Sequence, residues 1–250
     1  YLQGNAVVDT TLRDGKGRRL NPNFAKTPKT NNHSVVLTID RTLQFIAEKE
    51  LERGVQENGA ESGMIVIQNP KTGEILAMAN EMAFDPNDFS HSPVGAGKNR
   101  AITDCFDPGS TFKPFTLAGA LEEGVVKETD RITCENGRYR VADRVIHEAK
   151  RGKHGILTVH DIIKYSSNIG TAKVGEKLGK EKFYQYIAKF GFGHKSGIDL
   201  PGESIGLLRP VGQWTNVDAA TIAFGQGISV TPIQLITALS AIANDGLLMK

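Results

Sequence analysis

Apolar and polar positions along the chain alternate between two periods, and the change from one to the other sets the predicted elements. The run "SVVLTI" (34–39) is short and β-branched, which predicts a strand. Asp40 then stands as a helix cap, and Leu43, Ile46, Ala47, Leu51 and Val55 recur at helical spacing, predicting a helix to about residue 56. "GMIVIQN" and "EILAMAN" are strand-like runs joined by "PKTG" (70–73), where Pro70 and Gly73 mark a tight turn, so they predict a hairpin. Residues 81–109, rich in Pro, Gly, Asn and Ser, read as irregular.

From Ser110 the helical period dominates. Helices are expected over 110–123, from a cap at Thr158, over about 169–178, over 181–190, and from Thr231 to about 244, closed by Gly246. Strands first and helices afterwards, without βαβ alternation, predict an α+β fold. Residues 1–33 lack sustained periodicity and read as a linker or the end of a preceding non-catalytic domain, leaving 34–250 as the main domain.

Composition narrows the function classes. Thirty basic against 28 acidic residues give +2, which offers no nucleic-acid footprint, and the basic stretch 12–19 has no interleaved aromatics. No apolar run reaches a membrane span and no signal peptide opens the chain, so any export signal or anchor is expected upstream of Tyr1. Cys105 and Cys134 are expected to be unpaired thiols. His147, His154 and His160 lack metal-site spacing, so no metal or other cofactor is expected. "FGFG" (190–193), "FGQG" (224–227) and "LPGE" (200–203) read as backbone turns, and Trp214 as a core residue.

One stretch carries chemistry. In "DPGSTFKPF" (107–115), Ser110 and Lys113 share a face if a helix begins at or just before Ser110. Pro114 is tolerable only in a first turn, so it argues for that start. A serine hydroxyl needs a base, and a lysine amine serves if its pKa falls from about 10.4 through burial or a neighbouring cation. Alone the pattern is weak, since about one Ser-x-x-Lys is expected by chance in a chain of this length. A second stretch, Ser166-Ser167-Asn168 in "KYSSNIG", lies between two predicted helices. Its plain reading is a polar turn with Asn168 capping the next helix.

Together these motifs form two thirds of the constellation SxxK, SxN, KTG. On them the chain resembles the penicillin-binding proteins, in particular the class B monofunctional transpeptidases of the division (FtsI-like) or sporulation branch. "NRAITDCFDPGSTFKPFTLAGALEEG", "LTVHDIIKYSSNIGTAKVGEKLG" and "AFGQGISVTPIQLITALSAIANDG" look like family segments in family order. The resemblance implies a transpeptidase-like fold, a helical cluster on an antiparallel sheet. It implies Ser110 as nucleophile, Lys113 as its base, Ser166 as proton relay and Asn168 as holder of the substrate amide. The implied reaction is acyl transfer on peptidoglycan stem peptides ending in D-Ala-D-Ala, with β-lactams acylating the same serine. The implied setting is extracytoplasmic, anchored by an upstream helix and among cell-division or cell-wall proteins. A β-lactamase or β-lactam sensor of the same fold, and a non-catalytic division scaffold, are the rival readings.

The third motif departs from the pattern. "KTG" occurs only at 71–73, ahead of Ser110, where Lys71 is expected in a solvent-facing turn. No KTG follows Asn168 up to Lys250, so the sheet is expected to be incomplete, with an unpaired hairpin edge, and this segment alone to acylate poorly or not at all. Asp107 stands where relatives often carry Glu.

Overall fold

The computed structural model describes residues 15–16, 34–81, 88, 91–92, 95, 97–149 and 152–249. Contacts divide the chain into 1–38 and 39–250, and the elements below all belong to the second unit. The basic stretch 12–19 falls almost wholly outside the described residues. The run 34–39 forms no strand, against expectation, and Val35, Val36 and Leu37 are exposed. β propensity makes a strand only beside a partner strand, and no ladder reaches this run among the described residues.

Helix α1 (Arg41–Asn58) starts where Asp40 accepts from the amides of Thr42 and Leu43, and it stops at Gly59 in the left-handed region. It lies on a hairpin of β1 (Met64–Gln68) and β2 (Ile75–Asn80), paired antiparallel with Met64 opposite Asn80. Ala47, Leu51 and Val55 meet Ala77 and Ala79 in a small core, whereas Ile46 from the predicted stripe faces solvent. The outer edge of β2 is covered from within the chain. Asp40 N–H donates to Leu76 O, Met78 N–H donates to Gln44 Oε1, and Gln44 Nε2 donates back to Met78 O. The expected unpaired edge is therefore closed on the β2 side, while no further strand pairs with β1 among the described residues. Lys71 sits in the turn, exposed and paired with Asp245.

The larger core gathers the remaining elements. Helix α2 (Arg100–Thr103) interrupts the stretch expected to be irregular. A 3-10 turn, Gly109–Phe112, leads into α3 (Lys113–Glu122). Four short strands follow, none of them expected: β3 (Arg131–Thr133), β4 (Arg138–Val141), β5 (Arg144–His147) and β6 (Ile156–Thr158). They pair as β3–β6 and β4–β5, both antiparallel. Then come α4 (Val159–Lys164), α5 (Asn168–Leu178), α6 (Lys180–Lys189), the unexpected α7 (Asn216–Ile222) and α8 (Pro232–Ala243). Every ladder is antiparallel and the helices cluster, so the α+β expectation holds.

Trp214 is buried between Phe183 and Tyr184, its indole N–H donating to Arg209 O. Both cysteines are free thiols, Cys105 exposed and Cys134 buried.

Helix α7 illustrates how capping fixes a short element. Thr215 accepts from Asp218 N–H, and Asp218 accepts in return from Thr215 N–H. The Thr215 hydroxyl and Arg209 guanidinium hold the Asp218 carboxyl down at about 2. A depressed carboxylate contributes stability above its ordinary value near 3.8, and the contribution is lost as pH falls through about 2. Thr215→Ala is expected to destabilise the fold by about 1 kcal/mol and to lower the melting temperature by roughly 2–4 °C. Calorimetry above pH 4 reads the loss, with the gap to the parent closing at more acid pH.

Candidate active site

The turn that carries Ser110 is built from backbone constraints and two aromatic anchors. Gly109 adopts φ +56°, and its N–H donates to Gly225 O at 2.8 Å. Gly227 N–H donates to Asp107 Oδ2 at 3.3 Å, a second tie between the two turns. Phe112 and Phe115, both essentially inaccessible, pack edge-on to each other and against Phe190 and Phe192, with ring centroids 5.0–5.4 Å apart. Each buried ring contributes about 1.5–3 kcal/mol. These anchors pin the chain on both sides of Lys113 while Ser110 stays exposed. Thr116 adds a bond from its hydroxyl to Ala223 O.

Ser110 lies in a 3-10 turn rather than the first turn of an α-helix, and Lys113 N–H donates to Ser110 O. In 3-10 geometry residues three apart eclipse, which sets Ser110 and Lys113 on one side of the turn, while the bonds of Lys113 Nζ go to Ser166. Pro114 then falls in the first turn of α3, as its presence predicts.

Lys113 is completely buried, and its Nζ donates to Ser166 O at 2.5 Å and to Ser166 Oγ at 2.9 Å. Burial pulls its pKa down from 10.5 to about 8, against the opposing charge of Glu148. At pH 7 roughly a tenth of such a group is neutral, where an ordinary lysine has almost none.

The second stretch closes over this amine through a helix-ending motif. Ser167 N–H donates to Ile162 O and Ser166 N–H to Ile163 O, the pair of bonds that terminates α4 in a Schellman arrangement. Ser166 fills the left-handed position of that motif at φ +56°, where glycine is usual and serine costs roughly 1–2 kcal/mol. The strained peptide turns both the carbonyl and the hydroxyl of Ser166 onto Lys113.

The cap of α5 is Ser167, which accepts from Gly170 N–H at 2.9 Å, and not Asn168 as the plain reading has it. Asn168 is thereby released, and its Nδ2 donates to His147 O at 3.0 Å, leaving Oδ1 as the free acceptor type. A cleft of about 520 Å³ opens beside it, lined by Asn168, His147, Thr221, Phe224, Gln226 and Arg144.

All four expected site residues are placed by three neighbouring elements: Ser110 and Lys113 by one turn, Ser166 by the end of α4, Asn168 by the start of α5. Two contributors escape the sequence reading. The "FGQG" turn braces Gly109. Glu148, just past β5, accepts from Ser167 Oγ at 2.5 Å and from Asn168 N–H at 2.7 Å. A carboxylate 18 positions before Ser166 carries no recognisable spacing, because the hairpin that delivers it was not predicted.

Residues 63–250 match the family described as the penicillin-binding protein transpeptidase domain. The chain belongs to this family. Among curated transpeptidase-family relatives, the stage V sporulation protein D of Bacillus subtilis is 42% identical over 99% of this chain and 38% of its own length. The peptidoglycan D,D-transpeptidase FtsI of Escherichia coli is 34% identical over 99% of this chain and 41% of its own. The chain thus spans about two fifths of the length of these relatives. The apo transpeptidase domain of Burkholderia pseudomallei penicillin-binding protein 3 superposes with a TM-score of 0.76 at 32% identity, covering 85% of this chain and 59% of that one. The penicillin-binding-protein fold expected from the sequence is therefore the fold observed. Among the described residues no helix is long and apolar enough to cross a membrane.

Proposed function

We propose that the full-length protein is a serine D,D-transpeptidase that cross-links peptidoglycan and is acylated by β-lactams. The observation that carries this reading is the buried amine of Lys113, its pKa drawn to about 8, one 3-10 turn from Ser110 and bonded to Ser166. Neutral Lys113 takes the Ser110 proton as Oγ attacks the penultimate D-Ala carbonyl of a stem peptide. The Ser166 hydroxyl, bonded to Nζ, relays a proton to the departing amine of the terminal D-Ala. An amine of a neighbouring strand then displaces Ser110 from the ester. Asn168 Oδ1 accepts from the peptide amide of the donor lying in the adjoining cleft. The names of the relatives support transfer to an amine over the hydrolysis of a β-lactamase and over a purely scaffolding role.

By the same reading, residues 34–250 belong to the transpeptidase domain and 1–33 link it to a preceding domain. The protein acts outside the cytoplasmic membrane, held by an upstream anchor among proteins of division or spore-wall assembly. No cofactor is invoked.

The test is chemical. After reaction of the full-length protein with a fluorescent penicillin, digestion and mass spectrometry are expected to place the adduct on the Ser110 peptide. An adduct elsewhere, no adduct, or rapid nitrocefin turnover overturns the proposal.

A further inference from the structure

We infer that Glu148 is a positioning residue for acylation, clamping the Ser167 hydroxyl and the Asn168 backbone amide so that Ser166 is held against Lys113. The inference rests on the proposed acyl-transfer reading. Glu148 touches none of the reacting groups, yet it is nearly inaccessible, with 7% of its surface exposed. A buried carboxylate is retained only where hydrogen bonds offset its desolvation, and here each oxygen has a donor. Oε1 accepts from Ser167 Oγ at 2.5 Å and Oε2 from Asn168 N–H at 2.7 Å.

The position of the clamp explains what it does. Ser166 occupies a strained left-handed peptide immediately before the two residues that Glu148 grips. Strain at one peptide persists only when its surroundings over-determine it. On one side Ser166 is fixed by the terminal bonds of α4, and on the other by Glu148 through Ser167 and Asn168. Directly before Glu148, His147 O takes the Asn168 side-chain amide, so the β4–β5 hairpin orients both halves of Asn168.

Electrostatics argue that orientation, and not charge, is the gain. The Glu148 charge raises the pKa of Lys113, opposing the effect of burial and working against a neutral base. Around this pair stand the buried thiol of Cys134, 3.5 Å from Ser167 Oγ and itself influenced by Lys173 and Glu135, and His154, which lies with Glu148 beside Gly152. A carboxylate that only tuned charge would be better absent. One that also clamps the loop is worth its opposing field.

Glu148→Gln separates the two effects. An amide can accept from one of the two donors but turns its own NH₂ toward the other. In the full-length protein the second-order constant for penicillin acylation is expected to fall on the order of 100-fold, as for a displacement of about 1 Å at a reacting group. The midpoint of the acid limb, expected at about 8 in the parent, should move to lower pH because the opposing charge is gone. Glu148→Asp keeps the charge one methylene short, so its rate falls while its midpoint stays.

A Gln variant with parental rate overturns the inference. So does a lowered rate with an unmoved midpoint, the signature of mere packing. If the Gln variant does not fold, an Asp variant acylating at the parental rate overturns it instead. Failure of the parent itself to acylate Ser110 sinks the functional reading rather than this one.

Discussion

Lys113→Arg is expected to lose penicillin acylation by about 10²–10⁴-fold, the share of a rate that a positioned base supplies. The substitution keeps a cation within reach of Ser166 O and Oγ, the two groups that hold the parental amine. It removes only the capacity to become neutral, because a guanidinium does not deprotonate in a protein. Lys113→Met removes charge and base together while filling most of the same buried space. If Lys113 works as a proton acceptor, both variants fail. If it works as a fixed positive charge beside the ester, Arg retains activity and Met does not. In the parent, the rate should rise with pH through about 8, since only the neutral amine accepts the proton. Stopped-flow acylation across that limb measures both points, and an active Arg variant would remove the base from the proposed mechanism.

Much of this site was legible because its residues are sequence neighbours. Ser110, Lys113 and Pro114 specify a helix start among themselves, and Ser166, Ser167 and Asn168 occupy a single interhelical connection. The period of 3.6 located most of the helices for the same reason, since each stripe reports only on its own element. What failed was whatever depends on distant partners. The strand expected at 34–39 has β propensity but no ladder. Strands β3 to β6 are three or four residues long, too short to show alternation, and exist because each finds a mate across a turn or a loop. The predicted hairpin edge was half wrong for a related reason, as the Gln44 side chain stands in for a strand on β2.

The misassigned cap is a finer case. Ser and Asn are equally good caps by type, so sequence cannot rank Ser167 against Asn168. Glu148 decides it by taking Asn168 N–H from outside, which makes Asn168 the first helical residue and leaves Ser167 as the cap. A tertiary contact that the sequence does not display thus decides which of the two residues caps the helix.

Gly225→Ala is expected to be strongly damaging although it lies outside the site residues. The backbone there has φ +82°, unfavourable for alanine by roughly 1–2 kcal/mol. The added methyl would also stand 2.1 Å from Gly109 O and 2.6 Å from Gly109 N, both backbone atoms that no rotamer change can move. Relief requires separating the 224–227 turn from 107–109, breaking the Gly109–Gly225 bond that opens the nucleophile turn. Overpacking of this kind adds about 1–3 kcal/mol, for a total near 2–5 kcal/mol. Acylation should fall on the order of 100-fold with the displacement of Ser110. Gly227 supplies the control within the same turn. Its φ of +81° imposes the same backbone strain, but an added methyl meets nothing closer than 3.8 Å. Gly227→Ala should therefore lose only about 1–2 kcal/mol and keep most of its acylation rate. Melting temperature and acylation measured side by side on the two variants isolate the close approach from the strain. Equal behaviour of the pair would mean that the glycine turn does not hold Ser110 in place.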